Sequence, residues 1–386
     1  MELRLQPRIT QVRDDGRPGS GKTFLESEAA PVALWRRALQ VATSLGVVLL
    51  IFIGVFPKLA DFDDVWAAID SMNWAEVVFL VVAAALPIVA AWFVLTSVLP
   101  SLRLPEAGVA HQSSTAVANT IPGGSAWALG VSYAMYQSWG FTLIAISSGL
   151  LLAGIGDQAV KLGLPVLVSL GAAISGDLRP GLITAVAIGS AMLVGAGIVI
   201  GLALNSEGFA RRVGEILTRL VNWFLTRFRR PPVDLAGSAV KFRLDIVNLL
   251  RFRGVRLLAA LLVSHLSLFV VLLMSLRFVG VSEGDVSWFR ALVAFSFVRL
   301  ITAIPITPGG LGVAEVSYVF FLSSKGQPDG VTDLITAGVL VFRALTFLPP
   351  IVIGLGCWVF WRVNSSWRRE PNTRPPAHPR TAVAGV

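Results

Sequence analysis

Apolar positions along this chain come in blocks rather than stripes. Ala38 to Pro57, Val77 to Leu102 and Pro180 to Ser206 contain no acidic or basic side chain. Ala107 to Gly156 contains no Asp, Glu, Lys or Arg, and Leu257 to Leu276 contains only His265. A helix of ~20 apolar residues spans the hydrocarbon core of a bilayer. The pattern therefore predicts six spanning helices, at about 38–58, 75–100, 141–174, 180–204, 256–279 and 330–362.

Two apolar regions are left over, at about 106–139 and 285–326, and a Pro-Gly-Gly interrupts each. These are Pro122, Gly123, Gly124 and Pro308, Gly309, Gly310. Each region reads as a re-entrant helical hairpin, two half-helices meeting at a break, because irregular backbone at membrane depth survives only where protein or water satisfies it. The alternative makes each two short spans joined by a surface turn. NTIPGGSAWALGVSYAMYQSWG (119–140) aligns with PITPGGLGVAEVSYVFFLSSKG (305–326) at an offset of 186 residues, and each leads into an apolar span containing proline. One copy enters from each side, the mark of inverted-topology repeats. The expected fold is thus an all-α polytopic membrane protein of about six spans plus two re-entrant hairpins related as inverted repeats.

Charge sets the sidedness and the domain limits. Residues 205–256 hold eleven Lys/Arg against four Asp/Glu, while Asp61, Asp63, Asp64 and Asp70 follow the first span. By the positive-inside rule both termini are cytoplasmic. The expected divisions are a disordered arm (1–35), a first membrane half (36–204, hairpin 106–139), a basic amphipathic linker (205–255), a second half (256–363, hairpin 285–326) and a disordered tail (364–386). Within the linker, Val213, Ile216, Leu217, Leu220, Phe224 and Phe228 recur at helical spacing. Arg211, Arg212, Arg219, Arg227, Arg229 and Arg230 make this helix a candidate to lie on anionic lipid; the alternative is a solvated linker helix or a brace against another domain. A shorter amphipathic stretch, Phe62 to Met72, could do the same outside.

Only 14% of the residues are charged and 55% are hydrophobic, which excludes a soluble domain. The net charge of +9 needs no nucleic acid, since positive-inside bias and anionic lipid account for it. Ala, Gly, Val and Arg are abundant, which suggests a GC-rich bacterial genome, and the expected location is a bacterial plasma membrane. One phosphate-binding pattern is present: GRPGSGKT, Gly16 to Thr23. Such a loop needs a buried strand before it and a helix after it. Fifteen mostly polar residues precede Gly16, so no nucleotide is expected there. The single cysteine and three histidines offer no metal-ligand spacing, and no cofactor is expected. His111 and His265 read as packing or hydrogen-bonded histidines.

Arg299, Glu315, Arg343 and Asp157 fall inside apolar segments, as does Lys161. A charge at the bilayer centre costs at least ~2.5 kcal/mol and is usually paired or set in a polar cavity. Arg299, Glu315, Arg343 and Asp157, gathered around the two breaks (Pro122, Gly123, Gly124; Pro308, Gly309, Gly310, Gly312), form the candidate headgroup site. A structural ion-pair network locking the halves is the competing reading.

RLITAIPITPGGLGVAEVSYVFFL (299–322), with NTIPGGSAWALGVSYAMYQSWG upstream, resembles the transmembrane domain of the lysylphosphatidylglycerol synthase/flippase family. Pro308, Gly309, Gly310, Gly312 and Glu315 supply the PGGxGxxE core after Arg299. Full-length members of that family carry an aminoacyl-transferase domain. This chain ends on a short Pro/Arg-rich tail, so the resemblance implies the translocation half alone and no enzyme activity. The expected function is flippase-like movement of a polar, anionic or aminoacylated headgroup, with anionic membrane phospholipid as partner and oligomeric state open. Alternatives are a transporter or channel for a small anion, an enzyme acting on lipid-linked sugars or phosphates, and a non-catalytic partner of an envelope-lipid enzyme.

Overall fold

The computed structural model describes residues 62–121, 123–174, 205–227, 236–303, 307–324, 327–328 and 330–369, with 195, 197, 198, 201 and 202 besides. Among these the chain is helical, with no strand. The helices are α1 (Phe62–Asp70), α2 (Trp74–Val98), α3 (Leu104–Thr120), α4 (Gly124–Ser138), α5 (Leu143–Ile174), α6 (Glu207–Arg227), α7 (Ala236–Phe278), α8 (Trp288–Ile301), α9 (Val313–Leu322) and α10 (Val331–Val363). A short 3₁₀ turn, Pro308–Gly310, precedes α9.

Four described segments are long and apolar enough to cross a membrane: Trp74–Val98, Leu143–Gly171, Ala239–Phe278 and Val331–Val363. They coincide with four of the six expected spans. The span at 38–58 lies outside the described residues, as does most of that at 180–204. This is a multi-pass helical membrane protein, and its flanks agree: Val81, Val82, Leu86, Leu258, Val352 and Leu355 are all exposed. Local sequence starts the helices. Asn73 caps α2, accepting from the Glu76 N–H at 3.0 Å while Glu76 returns a bond to the Asn73 N–H. Ser287 caps α8. Segment 236–255, grouped by its charge with the linker, continues without interruption into the span, so α7 runs 43 residues.

α2 and α7 pack along each other antiparallel: Phe79 meets Phe278 at one end, and Arg253 and Arg256 bond Thr96 at the other. Around them, α3 pairs with α4 and α8 with α9. The first arm of each hairpin then packs on the long helix that follows the other hairpin, α3 on α10 and α8 on α5. Both contacts are antiparallel. Glu106, Gln112 and Asn119 of α3 descend beside Arg369, Gly354 and the Phe347 region. Phe289 and Arg299 of α8 lie towards Gly171 and Asp157. In lipid, helix association gains by close packing rather than by desolvation, so small residues let backbones approach. At Gly354 a Cβ would stand 2.1 Å from the Gln112 carbonyl oxygen, which only glycine avoids.

Candidate functional site

Each hairpin arm ends at its glycines. Gly123 (φ +66°), Gly309 (+59°), Gly310 (+71°) and Gly312 (+79°) occupy the left-handed region that side chains avoid. Pro122 lies outside the described residues. The second turn closes with Thr307 Oγ1 donating to the Leu311 carbonyl at 2.9 Å. The arm tips meet here. A Cβ on Gly309 would fall 2.3 Å from the Phe347 ring and 2.9 Å from Asn119 Oδ1, which belongs to the last turn of α3.

Arg343, in the middle of α10, reaches into this junction. Its Nε donates to Glu315 Oε1 at 2.6 Å, its Nη2 donates to the Gly309 carbonyl at 2.9 Å, and its guanidinium lies 5.2 Å from the Phe347 ring centre. Glu315 sits in the first turn of α9, where the partial positive charge of the helix N-terminus favours a carboxylate. It is 1% exposed, and its second oxygen, Oε2, has no hydrogen-bond partner among the described residues. Glu315 and Arg343 lie in the wall of a cavity of about 530 Å³. The rest of that wall is apolar: Trp66 and Ile69 from α1, Leu80 from α2, Leu340 and Leu348 from α10.

The other two expected site residues stand apart. Asp157 pairs with Lys161 one turn along α5, at 2.6 Å. His265 of α7 hydrogen-bonds the Leu261 carbonyl through Nδ1 at 3.0 Å, as a packed histidine would. It is not alone, however: its Nε2 lies 3.3 Å from Arg299 Nη2 and 3.5 Å from Asp157 Oδ1. The four charges expected in one cluster therefore form two, Arg343–Glu315 and Asp157–Lys161–His265–Arg299. Buried Tyr318 of α9 stands within electrostatic reach of Arg299, Arg343 and Glu315. Gly123 and Gly124 shape the first break, where Gly124 is wedged against the Val117 and Ala118 backbone, but they do not line the cavity. His111 bonds its neighbour Gln112.

A third buried charge had no signal in the sequence. Glu106, 1% exposed, caps α3 by accepting from the Arg103 N–H and pairs with Arg369. Trp361 Nε1 and the Arg369 N–H both bond Ser138, so the segment after α10 closes over the open end of the first hairpin. On α6, Arg211, Arg212 and Arg219 are exposed, beside exposed Ile216, Leu220 and Trp223. The Arg227 side chain and all of Arg229 and Arg230 lie outside the described residues.

The family model described as the lysylphosphatidylglycerol synthase TM region matches residues 38–354. The chain belongs to this family. No curated protein gives a significant match. Within the family match fall both breaks, the cavity and both charge clusters, whereas Arg369 lies beyond it. Membership connects the chain to a membrane lipid-related function.

Proposed function

We propose that the protein is a flippase-like translocase, not an enzyme, that moves a polar, anionic or aminoacylated phospholipid headgroup across a bacterial plasma membrane, with both termini cytoplasmic. One observation carries the reading: an apolar-walled cavity that holds an ion pair between buried Glu315 and half-buried Arg343, the arginine midway along the spanning-length helix α10. A headgroup needs polar partners during its passage, while its tails need an apolar surface. Arg343 offers phosphate a cation, and Glu315 Oε2 offers an amine or hydroxyl an acceptor.

The hairpin architecture supports the same reading. The four arms have 17, 15, 14 and 10 residues, short of the ~20 that cross a bilayer. Exchanging the first half for the second maps the α3–α10 contact onto the α8–α5 contact. It also maps Asp157 onto Arg343, 186 residues on; Asp157 faces Arg299 of the opposite hairpin, whereas Arg343 bonds Gly309 and Glu315 of the second hairpin itself. We take the hairpins as re-entrant and related by an in-plane pseudo-two-fold axis, so that rocking one half against the other alternates access. α6 lies on anionic lipid through its exposed Arg and apolar side chains.

Reconstitution with fluorescent phospholipid tests this. Wild type should exchange lipid between leaflets faster than protein-free liposomes, Glu315→Ala and Arg343→Ala should be slower, and ATP should change nothing. Identical rates for wild type, both variants and empty liposomes would remove the reading.

A further inference from the structure

The second cluster takes no part in the cavity, and its hydrogen bonding turns on one atom. A carbonyl oxygen only accepts, so the bond to Leu261 places the proton of neutral His265 on Nδ1. Nε2 then bears a lone pair, and Arg299 Nη2 donates to it. Asp157 Oδ1 faces the same nitrogen at 3.5 Å, but a carboxylate and a lone pair share no proton. One proton on Nε2 reverses both relationships. The imidazolium loses its bond from Arg299 and gains an ion pair with Asp157.

Charge ties this exchange to a ligand. With neutral His265 the cluster carries one negative charge, on Asp157, and two positive, on Lys161 and Arg299. Arg299 Nε is buried and has no hydrogen-bond partner among the described residues. Protonation raises the excess from one positive charge to two, which a poorly solvated site tolerates only if an anion accompanies it. The groups acting on His265 are Asp157 and Lys161 from α5 and Arg299 from α8; α2, α6 and α10, which also pack on α7, add none among the described residues. Asp157, 36% exposed against 2% for His265, is the member of the pair nearer the molecular surface.

We infer that His265 is a proton-binding site whose loading is coupled to entry of an anionic phosphate group beside Arg299. Proton uptake forms the Nε2–H bond and frees the guanidinium, the phosphate takes the freed donors, and release of either expels the other. No electron transfer and no covalent change besides the N–H bond is involved. As a source of energy for transport, the site rests on the translocation reading; as a binding site it does not.

The decisive measurement is nitrogen NMR of histidine-labelled protein in phosphatidylcholine nanodiscs, with the His265 signal assigned by its loss in His265→Gln. Short-chain phosphatidylglycerol, short-chain phosphatidylcholine and inorganic phosphate are added in separate arms. The Nδ1–H tautomer should give way to imidazolium on acidification, and phosphatidylglycerol should raise proton affinity about tenfold, a typical coupling between linked sites. An equal rise with inorganic phosphate assigns the site to free phosphate rather than lipid and ends its link to lipid movement. A ring that stays neutral over about pH 4 to 8 in every arm, or a midpoint indifferent to all three additions, overturns the inference. Proteoliposomes enclosing a pH dye supply the second readout. Wild type should carry protons with phosphatidylglycerol, and His265→Gln, which accepts from Arg299 but binds no proton, should lose that flux. Lipid movement with no proton flux and a lipid-independent midpoint removes the coupling and keeps the translocase. A lipid-dependent midpoint with no lipid movement does the opposite.

Discussion

Half-buried Arg343 and buried Glu315 form an ion pair across two helices, Nε to Oε1 at 2.6 Å, and the Gly309 carbonyl in the second hairpin's break fills a further guanidinium donor. Removing one partner of such a pair leaves an uncompensated charge and costs ~3–5 kcal/mol, whereas replacing both with apolar groups of similar volume is often neutral. Arg343→Met and Glu315→Leu should each lower the midpoint of thermal unfolding in detergent, and the double variant should recover most of the loss. Additive losses would show that the two side chains act independently.

Gly354 and Gly356 lie half a turn apart on α10 and should behave oppositely. A methyl group at Gly354 meets the Gln112 carbonyl and the Ala116 side chain, while one at Gly356 meets nothing within 4 Å. Gly354→Ala should cost ~1–3 kcal/mol by prising α3 from α10. Gly356→Ala should be neutral in the same unfolding assay.

Both breaks should be sheltered from bulky aqueous reagents. In a Cys357→Ser background, single cysteines at Ser125 and Leu311 should resist an impermeant maleimide from either side of oriented vesicles. One at Asp70 should react from a single side. Ready labelling of both break positions would make the hairpins ordinary short spans.

Arg369→Ala should loosen the closure over the first hairpin. Glu106 would remain buried without its cation, at a cost of about 1–3 kcal/mol for an unsatisfied polar group. Limited proteolysis between Asn364 and Arg369 should quicken, while Arg368→Ala should leave the rate unchanged.

Four of the six expected spans were legible because hydrocarbon thickness writes itself into the chain as uncharged blocks, and the turns at Gly123 and Gly309 because Pro-Gly-Gly is local chemistry. Asp157, Arg299, Glu315 and Arg343 announced themselves as charges in apolar surroundings. Their sorting into two clusters was not legible, since it depends on which helices neighbour one another. His265 looks solitary along the chain, and its partners come from α5 and α8. Glu106 and Arg369 are 263 residues apart and sit where charge is unremarkable, at a helix start and in a tail. The length of α7 escapes the sequence for a related reason: Lys241, Arg243, Arg251, Arg253 and Arg256 mark a change of charge along the helix, not its end.

At 1.5 Å per residue, the 43 residues of α7 make a rod of about 65 Å, roughly twice the thickness of the hydrocarbon core. A continuous helix resists bending because every turn is bonded to the next. The outlying half, to which α6 is fastened, is therefore a handle on the membrane interior. A force that swings α6 must tilt the entire rod, and His265 with it.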